Sequence, residues 1–484
     1  MNATYSTSGF WEAESIKAVS RGRWVVHLPA GAMIQGASID SRSCKPGHVF
    51  FALRGERTDG HLFLESAADA GAALAIVDRV ESIPAGALKV LGDRCGVLAV
   101  ADVAAALLTL GSAYRKTLTG TTVISVGGSN GKTTTTRLIE SALSTSLRGT
   151  ASPKSFNNSI GVPLTLLNAA PGDRFVVCEV GTNAPGEIAA LGKVVRPDVA
   201  VLTSIGREHL EGLGDLAGVA REEAAMLGFL SPGGLAVMNA DTPHLAQIGR
   251  PLVSASGASC VTYGESESAD VRMVRIMSGE SGVSVRLSGF APEIRVALLG
   301  RHNAWNAAGA AIVARRLGIA DEAIAQGLAR ARGPDWRMQR VDVEVGDGKA
   351  VVLNDAYNAN PESMRAALET FAQITGAEGR RGRRVVVLGD MLELGTCSPS
   401  LHDEIVQALT RCEPGVAVFV GPEMVRAGKA RGAWYRAVLE PVSDDDAMAR
   451  IADLVRPGDT VLLKGSRGMR LERVVHLLRP AAQA

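Results

Sequence analysis

Between residues 121 and 143 the sequence passes from a β-branched run, TTVISV, through a glycine-rich turn into a stretch of helical character beginning at residue 133. The turn reads Gly127-Gly128-Ser129-Asn130-Gly131-Lys132-Thr133, followed by Thr134. A strand handed directly to a helix belongs to an alternating α/β chain, in which strands lie parallel and crossovers are right-handed. The same turn suits a phosphate: glycines let the backbone wrap the anion, and N–H groups at a helix start point towards it.

The alternation recurs along the whole chain. Strand-like runs stand at 49–53 and 73–77, with helical stretches at 61–70 and 101–114. Further runs at 175–180 and 199–203 follow the glycine-rich turn, and each leads through turn residues into a helical pattern. Segments 271–276, 283–287 and 294–298 lack helices between them and are expected to form an antiparallel flank, before the Ala-rich helix 303–317. A second series places strands at 350–353, 385–388, 416–420 and 460–463, with helices at 361–374, 401–411, 446–455 and 469–478. A chain of 484 residues is too long for one ordinary core. The fold class is therefore α/β in three domains, 1–115, 116–335 and 336–484, the second and third carrying separate sheets.

Lys and Arg total 51 against 50 Asp and Glu, so no broad positive field exists to gather nucleic acid or an anionic membrane. Neither is expected as a partner. No basic, apolar leader and no membrane-length apolar run is seen. The six cysteines, at 44, 95, 178, 260, 397 and 412, form no CxxC pair; they are expected to be buried thiols in a reducing cytoplasm.

Chemistry is expected where strands end, because ligands of open parallel sheets collect at the carboxyl edge. Lys132 would bring a point charge to the β- and γ-phosphates and Thr133 a hydroxyl to Mg²⁺. The usual pattern GxxxxGK[ST] calls for glycine at the position of Val126, so this loop is one residue short. Glu179 and His209 follow strands on the same edge and could hold Mg²⁺; His209 could equally be a hydrogen-bonding histidine, and Glu179 a capping carboxylate. Asp355, Asp390 and Lys464 follow strands of the third region, in LNDAYNAN, VVLGDM and LLKGSR. Each alone could merely terminate a strand; together they suggest a cleft closing between two sheets.

In order, SIDSRSCKPGHVFFALRGERTDGH from Ser38, GGSNGKTTT from Gly127, SFNNSIGVPLTLL from Ser155 and EVGTNAPGEI from Glu179 resemble the Mur ligase family. EHLEGLGDLAGVA from Glu208, GRHNAWNA from Gly300, NDAYNANPESM from Asn354, VVLGDMLELG from Val386 and LLKGSRGMRLE from Leu462 extend the resemblance over nearly the whole chain. It implies a UDP-substrate domain, a central ATP-binding domain and a C-terminal Rossmann-like domain. It further implies that ATP phosphorylates the carboxylate of a UDP-N-acetylmuramoyl-tripeptide, and that the amine of D-Ala-D-Ala attacks the acyl phosphate through a tetrahedral intermediate. ATP and Mg²⁺, as two ions, are the implied cofactors, and a monomer is the family expectation.

Carried over by position, the resemblance implies that Lys132 and Thr133 hold phosphate and metal and that Glu179 and His209 ligate Mg²⁺. Asn303 would face adenine, Arg337 the γ-phosphate and Asp355 the ribose, with Tyr357 and Asn358 nearby. Ser41, Arg42 and residues 54–60 would receive the UDP moiety, Asn157 and Asn158 the UDP-sugar, and Lys464 a substrate. One departure stands out: where many members carry a carbamylated lysine, the ungapped register gives Glu223, expected to supply the same negative charge without CO₂. Solvated helix charge is the plainer account of Glu222 and Glu223. A sister ligase adding the third amino acid, a folylpolyglutamate synthetase-like enzyme and a non-catalytic phosphate-loop scaffold are the rival readings; no Asp-Asn-Pro-Arg segment of the kind that reads diaminopimelate is present.

Overall fold

The computed structural model describes residues 6–480, apart from 57, 85, 93, 243, 377–381 and 431–435. Three sheets follow one another along the chain. The first has the order Arg23–Val26, Gly96–Ala99, Leu74–Val77, Val49–Phe51, Ala37–Ser38, parallel except at its first strand. The helical pattern expected at 61–70 is realised as a 3₁₀ turn, Gly60–Phe63, running into the helix Leu64–Asp69.

The central sheet places Thr122–Gly127 between Val199–Leu202 and Phe175–Glu179, all parallel. Gly149–Ala151 lies outside Phe175–Glu179, and Leu235–Asn239 and Ser259–Gly264 extend the sheet on the other side. The strand carrying the glycine-rich turn thus has neighbours on both sides, and its turn opens at the carboxyl edge. Val271–Gly279, Gly282–Leu287 and Ile294–Val296 continue as the antiparallel flank that the missing helices predicted.

Helix Asn303–Arg316 is buried along almost its whole length because it packs against helix Lys132–Leu143 over the central sheet. Its alanines permit that closeness, since side chains without bulk let two helix backbones approach. In the third sheet Arg436–Glu440, Val416–Val420, Arg384–Gly389, Thr460–Lys464 and Gly348–Asp355 are parallel. Gln339–Val345 pairs antiparallel with Gly348–Asp355. Its alternating charges (QRVDVEV) concealed this strand from a search for apolar runs. The helix expected at 469–478 is shorter, Arg473–Leu477, because residues 467–469 form a 3₁₀ turn.

Helix Val103–Thr117 locks the first sheet to the second. Tyr114 is fully buried and its hydroxyl donates to Ala169 O at 2.8 Å, while Arg115 donates to Val195 O at 2.8 Å and pairs with Asp198 at 3.0 Å. All six cysteines are free, but the expected burial fails at two of them: Cys397 is exposed and Cys260 only half-buried. No helix among the described residues is long and apolar enough to cross a membrane. Substituting Tyr114→Phe removes the buried donor and leaves the Ala169 carbonyl unsatisfied; urea unfolding should show a loss of about 1–2 kcal/mol.

Candidate active site

The carboxyl edges of the central and third sheets face one another across a cavity of about 1090 Å³. Lys132, Glu179, His209, Asn303, Arg337 and Asp355 all line it. Asn157, Asn158, Tyr357, Asn358 and Lys464 do so too.

Close packing shapes the loop. Gly128 and Gly131 have φ of +111° and +89°, and a Cβ would stand 2.5 Å from Thr203 Oγ1 and 2.3 Å from Asn306 Oδ1 respectively. Only glycine meets both demands. The segment after strand Val199–Leu202 holds the loop: Ser129 N–H donates to Ser204 O at 2.6 Å, and the Thr203 hydroxyl donates to Asn130 O at 2.6 Å. Lys132 Nζ donates back to Gly128 O at 2.6 Å and lies 3.7 Å from Glu208 Oε1. Ser129, Asn130, Gly131 and Thr134 line the cavity, whereas Gly127 and Gly128 form the buried root of the loop.

Glu179 ends its strand with its side chain fully enclosed. Asn157 Nδ2 donates to Oε1 at 3.0 Å, and Oε2 is buried without a hydrogen-bond partner. Burial pushes its carboxyl above the ordinary range, against the pull of Arg337, Thr133 and Lys132. A buried, unpaired carboxylate oxygen facing two cations and a hydroxyl suits a metal ion or another cationic ligand. Among the described residues no three His, Cys, Asp or Glu side chains converge to hold a metal by themselves.

Arg337 comes from the segment joining the central and third sheets. Trp336 and Met338, on either side, adopt left-handed backbone (φ +58° and +53°). The turn is held by Tyr357 N–H donating to Trp336 O at 3.1 Å and Met338 N–H donating to Asp355 Oδ1 at 3.0 Å. So held, Arg337 stacks over the Tyr357 ring at 4.1 Å and donates to Thr133 Oγ1 at 2.8 Å and Ser155 Oγ at 3.1 Å. Asp355 also pairs with Lys464 at 2.7 Å, and Lys464 donates to Asn358 O at 3.0 Å. Asn303 is buried; its amide donates to Leu299 O, and its carbonyl oxygen accepts from Asn306.

Several expectations need correction. Asp390 is a structural cap: its carboxylate accepts from Met424 N–H at 2.7 Å and Glu423 N–H at 3.3 Å, opening helix Pro422–Ala430. Glu222 and Glu223 are not solvated helix charges. Glu222 accepts from Gly186 and Ile188 N–H, capping helix Glu187–Val195. Glu223 is 1% exposed and lies beneath the loop rather than on the cavity wall, accepting from Gly128 N–H at 2.7 Å. Asn158 caps the helix Gly161–Leu167 while still lining the cavity. Ser41 and Arg42 are not among the lining residues; Ser41 is buried and Arg42 pairs with Asp40 at 2.7 Å. In the 54–60 stretch Asp59 accepts from His61 and Arg79, and Arg57 lies outside the described residues.

Residues not singled out from the sequence also meet here. Ser155 joins Thr133 and Arg337, Glu208 faces Lys132, and Asn306 receives the Thr135 hydroxyl. From the third sheet's domain, Asn360 donates to Asn130 at 2.9 Å, Glu362 binds Arg207 at 2.8 Å, and Glu393 binds His209. All but Arg207 lay within quoted motifs, yet a motif does not say which of its polar residues turns inward.

Burial and the nearby Glu208 raise the Glu223 carboxyl to about 7, although Lys132 opposes them. The unfolded chain ionises this carboxyl first, so its contribution to stability is full below pH 4.5, is lost as pH rises from there through about 7, and then levels off. Glu223→Gln keeps an acceptor for Gly128 without the charge. By urea denaturation it should match the parent at pH 4 and exceed it by up to about 3 kcal/mol at pH 8. Glu223→Ala, which strands the Gly128 N–H, should instead lose about 1–3 kcal/mol at both.

Comparison with known proteins matches three successive family descriptions: "Mur ligase family, catalytic domain" at residues 33–115, "Mur ligase middle domain" at 126–314, and "Mur ligase, glutamate ligase domain" at 336–467. The UDP-N-acetylmuramoyl-tripeptide–D-alanyl-D-alanine ligase of Bacillus subtilis is 33% identical over 447 residues, covering 92% of this chain and 93% of its own. A crystal structure of MurF from Acinetobacter baumannii superposes with a TM-score of 0.80 at 29% identity, covering 96% and 98% of the two chains. MurF ligase from Thermotoga maritima, solved with ADP, gives 0.72 at 26% identity, covering 92% and 96%. Matched in succession by all three domain models and 33% identical to a curated relative over 92% of its length, the chain belongs to the Mur ligase family.

Proposed function

We propose that this ligase uses ATP to join D-Ala-D-Ala to UDP-N-acetylmuramoyl-tripeptide, completing a peptidoglycan-precursor pentapeptide in the cytoplasm as a monomer. The carrying observation is the convergence of Lys132, Glu179 with its unpartnered Oε2, and Arg337, from two domains, on one cavity. The names of the relatives support the substrates, and the ADP-bound neighbour supports the nucleotide. Domains of 1–115, 116–335 and 336–484 belong to the same reading; it is supported by helix Val103–Thr117, which ends near the first limit, and by the Arg337 segment at the second.

In this reading the loop's N–H groups and Lys132 cradle the phosphates, and Lys132 leaves Gly128 O to meet them. Thr133, Glu179 and His209 would hold Mg²⁺, as two ions, whose charge would offset that of the phosphates. Arg337, already bonded to Thr133, would place its fork on the γ-phosphate, where charge develops as the acyl phosphate forms. Asn303 would meet adenine and Asp355 the ribose, its pairing with Lys464 keeping that carboxylate aligned. Asn157 and Asn158 would meet the UDP-sugar, Tyr357, Asn358 and Lys464 the incoming substrates, and Ser41, Arg42 and residues 54–60 the UDP end. Docking both substrates in one cleft supplies the alignment that amide formation needs. Glu223, beneath the loop, would provide the negative charge that a carbamate gives elsewhere in the family.

Phosphate release that requires both a UDP-muramoyl tripeptide and D-Ala-D-Ala, with the pentapeptide product seen by mass spectrometry, tests the proposal. Nucleotide turnover indifferent to both substrates would support a scaffold, and a product extended by one amino acid the sister ligase. Arg337→Ala should lower kcat about 10²–10³-fold, and Arg337→Lys should recover little of it, because an ammonium lacks the planar fork. Activity at limiting Mg²⁺ should be unchanged by added bicarbonate; stimulation by bicarbonate would defeat the assignment of Glu223.

A further inference from the structure

The motif VVLGDMLELG leaves its second acidic residue unexplained. Asp390 caps a helix, but Glu393 points across the cleft to the central domain, where its carboxylate accepts from His209 Nδ1. This imidazole is the only ion-pair partner of Glu393 among the described residues, and the carboxylate is 54% exposed. Both residues adopt left-handed backbone, His209 with φ +51° and Glu393 with φ +62°. Two non-glycine residues facing each other in that region cost about 1 kcal/mol or more apiece. An exposed carboxylate seeking only hydration would not need such a backbone.

The surroundings hold the pair in register. Glu211 N–H donates to Glu393 O at 3.2 Å, so the two segments also meet through their backbones. Gly395 (φ +55°) follows two residues later, and a Cβ there would lie 3.3 Å from the Glu211 Cα. From behind, Leu392 N–H donates to Ser466 Oγ at 2.9 Å and Ser466 N–H to Asp390 O at 3.0 Å. Ser466 lies two residues beyond Lys464, which pairs with Asp355. The loop is therefore fixed to the third sheet at the edge that presents Asp355, and reaches the central domain through Glu393.

A carboxylate can only accept a hydrogen bond, so Nδ1 carries the proton it gives to Glu393, and in the neutral imidazole Nε2 then keeps its lone pair, 4.0 Å from Glu208 Oε2. We infer that Glu393 is a positioning residue for His209: from the C-terminal domain it fixes the imidazole tautomer and direction, leaving Nε2 for a divalent cation. The inference rests on the reading that His209 faces the metal. Its consequence is that the cation site of the central domain is complete only when the C-terminal domain is docked. Outer carboxylates of this kind commonly change the metal affinity of a ligating histidine 10- to 100-fold.

The test uses the full chain saturated with ADP and Mn²⁺ as the probe, with free Mn²⁺ followed by electron paramagnetic resonance. Glu393→Ala should raise the Mn²⁺ dissociation constant about 10- to 100-fold. Glu393→Gln, whose amide oxygen still accepts from Nδ1, should retain most of the affinity. In a His209→Ala background, Glu393→Ala should add no further loss. Weakened binding in His209→Ala but parent-like binding in Glu393→Ala overturns this inference alone. An equal loss from Glu393→Ala with and without His209, or a Gln variant as poor as the Ala variant, overturns it as well. Parent-like binding in His209→Ala overturns instead the reading on which it rests.

Discussion

Arg337 leaves the chain between two residues in left-handed conformation and donates to Thr133 and Ser155 on the opposite domain. The rest of the cleft depends on that reach. For the guanidinium to arrive, Trp336 and Met338 must turn the backbone, and Tyr357 and Asp355 must hold the turn from the third sheet. The same closure brings Asn360 to Asn130, Glu362 to Arg207 and Glu393 to His209. Each contact spans more than 150 residues of sequence, so each contributes only when both sheets are already formed.

Charge at the bottom of the cleft is arranged in layers. Lys132 is enclosed with Glu208, Glu223 and Glu179 around it, and their summed field holds its ammonium charged despite burial. Glu179 keeps an unpaired oxygen beside two cations, whereas Glu223 spends an oxygen on the loop's own backbone. An isolated buried carboxylate would be costly; Lys132 and Arg337 offset that cost for Glu179, whose Oε2 is left without a partner. The loop bends Lys132 onto its own backbone, where the ammonium donates to Gly128 O and Ser129 O.

Much of this was legible in the chain itself. The glycine-rich turn, the alternation of strands and helices and the antiparallel flank at 271–298 follow from local pattern, and their boundaries differ from expectation by only a few residues. Glu179, His209, Asp355 and Lys464 could be placed on a strand-end edge because parallel sheets present their carboxyl ends together. Strand Gln339–Val345 was not legible, since its alternating charges lack an apolar run, and helix 469–478 was overdrawn because a 3₁₀ turn interrupts it.

The sequence by itself determined the fold class, the succession of three α/β regions, the glycine-rich strand-to-helix turn and the family resemblance, because these reside in local composition and in motifs read one after another. Tertiary structure alone decided which acidic residues do what. Asp390 turns back to cap a helix, Glu222 caps another, Glu223 goes under the loop, and Glu393 crosses the cleft. Nothing in a stretch such as AREEAAML or LGDMLELG distinguishes a capping carboxylate from one that reaches another domain. That choice depends on which N–H, imidazole or guanidinium packing brings within about 3 Å, a distance fixed only when remote segments meet.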